Sequence, residues 1–178
     1  FSEQAHTEQF ANNHMAMCYF YVLRALTAVI YRDYETAYRV CCYSAPLMPY
    51  ITGFYPVALH NFLYSLSICK VLSSKKYEAE TQIKQKLTEA LNKNQKWLEA
   101  RRNDALGNFG HFYLTIEAER KIADGLVAEA LPLYESALEH VEKHAGNLHH
   151  AIISDLIALC YEQLGIRSAA EYYLHRTY

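Results

Sequence analysis

Two imidazoles one helical turn apart, His140 and His144 in the run HVEKH, are the residues best spaced for chemistry in this chain of 178 amino acids. An i, i+4 pair puts both rings on one side of a helix, where they can share a divalent metal. His149 and His150 follow after a glycine turn. The run is not the H-E-x-x-H of zinc peptidases, because Glu142 sits one place late for that geometry. A plainer account is that His140 and His144 occupy the last turn of a helix, where positive charge is favoured. A metal-dependent enzyme built on this pair is therefore the alternative reading, and nothing else in the chain asks for a cofactor.

Other chemistry has less to stand on. Lys84, Lys86, Lys93, Lys96, Arg101 and Arg102 gather in one stretch, which suggests a nucleic-acid face. Glu78, Glu80, Glu89 and Glu99 interleave with them, and the formal net charge of the chain is −2, so the stretch reads as a solvated helix face and no nucleic-acid partner is expected. The sequence contains no G-x-x-x-x-G-K-[ST], G-x-S-x-G or G-x-G-x-x-G, the patterns that cradle phosphates or expose a nucleophile. Cys18, Cys41, Cys42, Cys69 and Cys160 are odd in number, form no C-x-x-C pair and sit on apolar stretches. That is the usage of reduced, buried cysteines in a cytoplasmic protein. The apolar run from Val22 to Tyr31 is interrupted by Arg24 and far short of a membrane span, so no membrane insertion is expected. The chain opens on Phe1 and closes on Tyr178 inside a helical pattern, and reads as a piece excised from a longer polypeptide.

The elements that must carry these residues are helices. Ala118, Gly125, Ala130, Tyr134 and Ala137 are followed, each 40 residues on, by Ala158, Gly165, Ala170, Leu174 and Thr177. Self-similarity at one fixed period is how stacked helical hairpins show in sequence. Small side chains let two helices approach closely, and the glycine tolerates the left-handed backbone of the turn. Apolar spacing predicts one long helix over 6–31, a second from Tyr34 to about Met48 opened by Asp33, and a third from Pro56 to about Leu72. A charged amphipathic helix runs from Tyr77 to Arg102, and Asn103-Asp104 caps a fifth through Ala123. Helices over 126–144 and 147–164 and a last one from Ser168 complete one domain with hairpins at roughly 6–48, 56–102, 104–144 and 147–178.

The segments AERKIADGLVAEALPLYESALEHV and LIALCYEQLGIRSAAEYYLHRTY resemble tetratricopeptide units, through Ala118, Gly125, Ala130, Tyr134 and Ala137 in one and Ala158, Tyr161, Gly165 and Ala170 in the other. The order YRDYETAYRVCCYSAPLMP, GFYPVALHNFLYSLSICKVL, QKWLEARRNDALGNFGHFYLTIEAERKIADGLVAEALPLYESALEHV and AIISDLIALCYEQLGIRSAAEYYLHRTY resembles the helical region of large bacterial signalling proteins. Those proteins join a Ser/Thr-kinase-like domain, a predicted ATPase domain and a sensor histidine kinase. The resemblance implies an all-α, right-handed TPR-like superhelix of about four hairpins, without chemistry of its own. First helices line the concave side of such arrays, where binding is usually done. It thus places Phe112, Thr115, Glu119, Ile152, Asp155, Leu159 and Glu162 along a groove for a protein partner or a neighbouring domain, although Ile152 and Leu159 also suit packing between helices. A small-molecule sensor is the remaining reading, and it would need an aromatic pocket between hairpins.

Overall fold

A computed structural model describes residues 2–74, 79–144 and 146–176. These form α1 (Glu3–Phe10), α2 (His14–Ile30), α3 (Tyr34–Ser44), a 3-10 segment (Ala45–Ile51), α4 (Tyr55–Ser73), α5 (Thr81–Asp104), α6 (Leu106–Ala123), α7 (Val127–His144), α8 (Asn147–Gln163) and α9 (Arg167–His175). There is no strand among the described residues. The expected Tyr77, Glu78 and Thr177 positions lie outside them.

Local chemistry explains most boundaries. Asp33 opens α3 by accepting from the Thr36 N–H at 3.0 Å, as expected of an N-cap. The same device overturns the single helix expected over 6–31. Asn13 accepts from the Ala16 N–H at 3.0 Å and starts α2 afresh, so α1 is a separate short helix folded onto it. There Glu3 pairs with Arg24, and His6 lies against Phe20 with ring centroids 4.8 Å apart. Pro46 and Pro49 turn the end of the second helix into the 3-10 segment. The expected cap at Asn103-Asp104 is also corrected. Both residues finish α5, and α6 starts from Ala105 without a side-chain cap.

Three hairpins share one turn. At Gly125 and Gly165 the backbone is left-handed, with φ of 81° and 75°. The Gly125 N–H bonds the Ile122 carbonyl and the Leu126 N–H reaches back to Lys121, while Gly165 and Ile166 do the same to Glu162 and Tyr161. This is the Schellman arrangement. A Cβ at either glycine would meet nothing within 4 Å, so the backbone angle alone requires the residue. The α2–α3 turn repeats the pattern: Arg32 N–H bonds Val29 and Asp33 N–H bonds Ala28. In it Arg32 holds the glycine place at φ 57°. Ala25, Arg32, Ala37, Cys41 and Ser44 then match Ala118, Gly125, Ala130, Tyr134 and Ala137 in spacing, a third copy that the sequence hides behind an arginine. Ala25, Ala37, Ala118, Ala130, Ala137 and Ala158 are all fully buried.

Helices pair as α2–α3, α4–α5, α6–α7 and α8–α9, and α4 also packs on α2, α3 and α6. α4 is apolar nearly all round, with Phe62, Leu63, Leu66 and Ile68 buried, as befits a central helix. The pairing is less regular than a superhelix of four equal hairpins. α5 is 24 residues long and buries only Leu87, Leu91, Gln95 and Leu98, and its hairpin lacks the glycine turn. Arg32 after α2 meets Asp155 of α8, which ties the first hairpin to the last.

Candidate site at the seam between α2 and α8

The residues expected to line a groove divide between interior and surface. On α6, Phe112, Thr115 and Glu119 are fully buried. This corrects their expected place on an open binding face, and the cause is packing from α4 and α7. Phe112 stacks on Phe62 with ring centroids 4.6 Å apart and meets the edge of His149 at 5.1 Å. Glu119 Oε1 accepts from Lys70 Nζ at 2.7 Å and from the Tyr134 hydroxyl at 2.6 Å. Burial and the nearby Glu119 charge push the Tyr134 phenol well above its ordinary pKa, so it stays a donor. On α8, Ile152 is buried, Asp155 and Leu159 are half-buried, and Glu162 is exposed.

What remains open is a pocket of about 210 Å³ between the end of α2, the start of α3 and α8. Val29, Ile30, Leu148, Ala151, Ile152 and Leu156 supply its apolar lining, and Tyr34 and Asp155 its polar edge. Ile30 and Leu148 remain exposed beside it. A dry cavity of about 150 Å³ with similar lining takes a benzene ring, so this one has room for a single large side chain. The Tyr34 phenol is pushed up by burial and by the charges of Glu119 and Asp155, and is neutral.

Arg32 meets the polar edge of the pocket through Asp155. Its Nη2 donates to Asp155 Oδ1 at 2.6 Å and its Nε to Oδ2 at 3.1 Å, a two-point pair that raises the guanidinium pKa. The pair is partly exposed, 41% for Arg32 and 26% for Asp155. Such pairs contribute about 0–1 kcal/mol, while a non-glycine residue in the left-handed region costs about 1–2 kcal/mol. Two-point Arg–carboxylate geometry puts the pair at the upper end of its range, so it offsets much of the backbone cost of an arginine where the other two turns use glycine. Strain of this kind gathers at functional positions. The sequence reading missed Arg32, Ile30 and Tyr34, and their only signal was the concealed third copy.

The histidines form a different corner. His111, fully interior on α6, lies 4.9 Å from the His149 ring, and His149 Nε2 meets the Tyr55 hydroxyl at 2.8 Å. Burial first, then His149 and His140, pushes His111 down to about 3, and burial also lowers His149. His140 packs beside Gly110, and His144 lies exposed beside Gly107. Among the described residues no group of three or more His, Cys, Asp or Glu is placed to hold a metal ion. The five cysteines are free thiols; burial pushes Cys18 and Cys160 up to about 11. On α5, Arg102 lies over the Tyr113 ring of α6 at 4.3 Å and Arg101 pairs with Asp104 at 3.0 Å. Among the described residues no helix is long and apolar enough to cross a membrane. No protein-family model, no curated protein and no solved structure matches the chain.

Proposed function

We propose that this chain is a non-catalytic docking module, the helical-repeat region of a multidomain cytoplasmic signalling protein of the ATPase and kinase type. It takes a side chain of a partner protein or of a neighbouring domain at the seam between α2 and α8. The observation that supports the reading is the 210 Å³ apolar-lined pocket, flanked by exposed Ile30 and Leu148. Pockets of this kind, rimmed by exposed apolar residues, mark interaction surfaces. The wider context rests on the ordered resemblance of the four segments quoted above. Of the residues expected along the groove, Ile152 and Asp155 line this pocket, while Glu119 serves the interior.

The test is calorimetric titration of the chain with the modules that adjoin it in its polypeptide, comparing wild type with Ala151→Arg. The arginine would fill the pocket from its half-buried wall without entering the core. Binding weakened at least tenfold in the variant is the expected result. Equal binding by both proteins, or binding by neither, overturns the reading. A small-molecule sensor would use the same pocket, and its volume favours a one-ring ligand. It predicts that Ala151→Arg leaves the adjoining modules bound.

A further inference from the structure

We propose that α2 pairs with the α2 of a second copy of this chain, the two helices running antiparallel about a two-fold axis. The observation that carries it is a second apolar stripe on α2. Cys18, Val22, Ala25 and Val29 recur at the four-three-four spacing of a helix–helix contact, and all four are buried inside the domain. One residue on, Tyr19, Leu23, Leu26 and Ile30 repeat the same spacing. This stripe faces outward: Leu23 and Ile30 are 57% and 52% exposed, and Tyr19 and Leu26 are half-buried. Met15, 46% exposed, extends it by a turn. None of these side chains is charged. α1 does not cover them, because Glu3 and His6 rest on Arg24 and Phe20, on another flank of α2.

A second copy is the occupant that this stripe fits. An uncharged stripe meets its own image without burying a charge or opposing like charges. The antiparallel register sets Leu23 against Leu26 of the second copy and Tyr19 against its Ile30, so large rings meet aliphatic chains. A parallel pair would set Tyr19 on its own counterpart and align the helix dipoles, which antiparallel helices oppose favourably. A small homodimer commits about 800 Å² per partner, about two-thirds of it apolar. The stripe, together with exposed Leu148 beside Ile30 at the mouth of the pocket, supplies a few hundred Å². That is the apolar centre of a reversible dimer with a Kd on the order of 10–100 μM, not of an obligate one. The pairing goes beyond the docking reading, since it needs neither the adjoining modules nor a filled pocket.

The experiment is sedimentation velocity on the whole chain between about 1 and 200 μM. The wild type should pass from monomer to dimer across that range. Leu23→Glu, at an exposed position outside the core, should weaken dimerisation at least tenfold, whereas Tyr43→Glu, at a similarly exposed apolar residue on α3, should leave it unchanged. Leu26→Lys should weaken it as well. Mixing Leu23→Glu with Leu26→Lys should restore a dimer, because the antiparallel register brings the introduced charges together at one contact and keeps two leucines at the other. Thermal melting followed by circular dichroism shows that each variant is folded; if Leu26→Lys is not, Tyr19→Lys mixed with Ile30→Glu poses the same question. A wild type that stays monomeric at about 200 μM overturns the proposal and leaves the stripe to a different occupant. Dimerisation of Leu23→Glu at the parent's strength, or its loss in Tyr43→Glu, overturns it too. Folded mixed variants that remain monomeric overturn the antiparallel pairing. None of these results touches the docking pocket, which the Ala151→Arg titration tests separately.

Discussion

Removing Lys70 from its buried pair with Glu119 should strongly destabilise this protein, and Lys70→Met tests it with nearly the same side-chain length. The Glu119 carboxylate is fully buried, with Lys70 Nζ at 2.7 Å and the Tyr134 hydroxyl at 2.6 Å as its hydrogen-bond donors. Without Lys70 the charge keeps a single phenol donor among apolar groups. Breaking a buried pair from one side costs about 3–5 kcal/mol, because the survivor is left uncompensated. Lys70 itself is 12% exposed and can swing its ammonium outward. Glu119→Gln should therefore cost less, about 1–3 kcal/mol, with the amide oxygen still accepting from Tyr134. The double variant Lys70→Met/Glu119→Gln should recover a large part of the loss, since no charge remains to be buried. Urea unfolding at neutral pH, followed by far-UV circular dichroism, measures all four corners of the cycle. The expected coupling is on the order of 2 kcal/mol. A Lys70→Met variant within about 1 kcal/mol of the parent, or a double variant worse than Lys70→Met alone, would refute the claim that a buried uncompensated carboxylate is the cost.

Ala130→Leu and Ala170→Leu should each overpack the crossing between the two helices of their hairpins and lower stability by about 1–3 kcal/mol, read as a shift in the urea midpoint. Gly165→Ala should cost about 1 kcal/mol by imposing a Cβ on a left-handed turn, whereas Arg32→Gly should change stability little, the relieved strain offsetting the lost ion pair. Acid should destabilise the fold through its neutral histidines. His60 is pushed down to about 4 and His111 to about 3, both by burial, from an ordinary 6.5. The unfolded chain binds more protons in that interval, so stability is full above pH 6.5 and falls as pH drops toward 4, by on the order of 2–3 kcal/mol for each group. His111→Phe should flatten the urea midpoint against pH between 6.5 and 4, and an unchanged slope would remove His111 from the account.

The helical hairpins were legible because their determinants are local. Ala118, Gly125 and Ala130, repeated as Ala158, Gly165 and Ala170, predict buried small residues and a left-handed turn, and the alanines are buried and the glycines left-handed. The break at Asn13 was missed because the apolar spacing of α1 and α2 continues in phase across a capping residue. The groove residues illustrate a different limit. Helical spacing correctly put Phe112, Thr115 and Glu119 on one face of α6, but whether that face meets water depends on Phe62, Lys70 and Tyr134, which are distant in sequence. Arg32 escaped notice for a related reason. It marks the same turn as Gly125 and Gly165, and only the backbone angle reveals the equivalence.

The seam between α2 and α8 is packed more lightly than the hairpins α2–α3, α6–α7 and α8–α9. Within each of the hairpins α2–α3, α6–α7 and α8–α9 the helices are held by fully buried alanines and a hydrogen-bonded turn, so separating them would unmake the interior. Between α2 and α8 the tie is one half-exposed ion pair beside an unfilled apolar space. Breaking a partly exposed pair forfeits about 0–1 kcal/mol, while an apolar side chain entering that space gains roughly 1.5–3 kcal/mol from its own burial. Filling that space would leave the hairpin turns and their buried alanines intact. The face of α6 offers no such opening: Glu119, Lys70 and Tyr134 close it from within, and exposing the carboxylate would require breaking the pair on which the core depends.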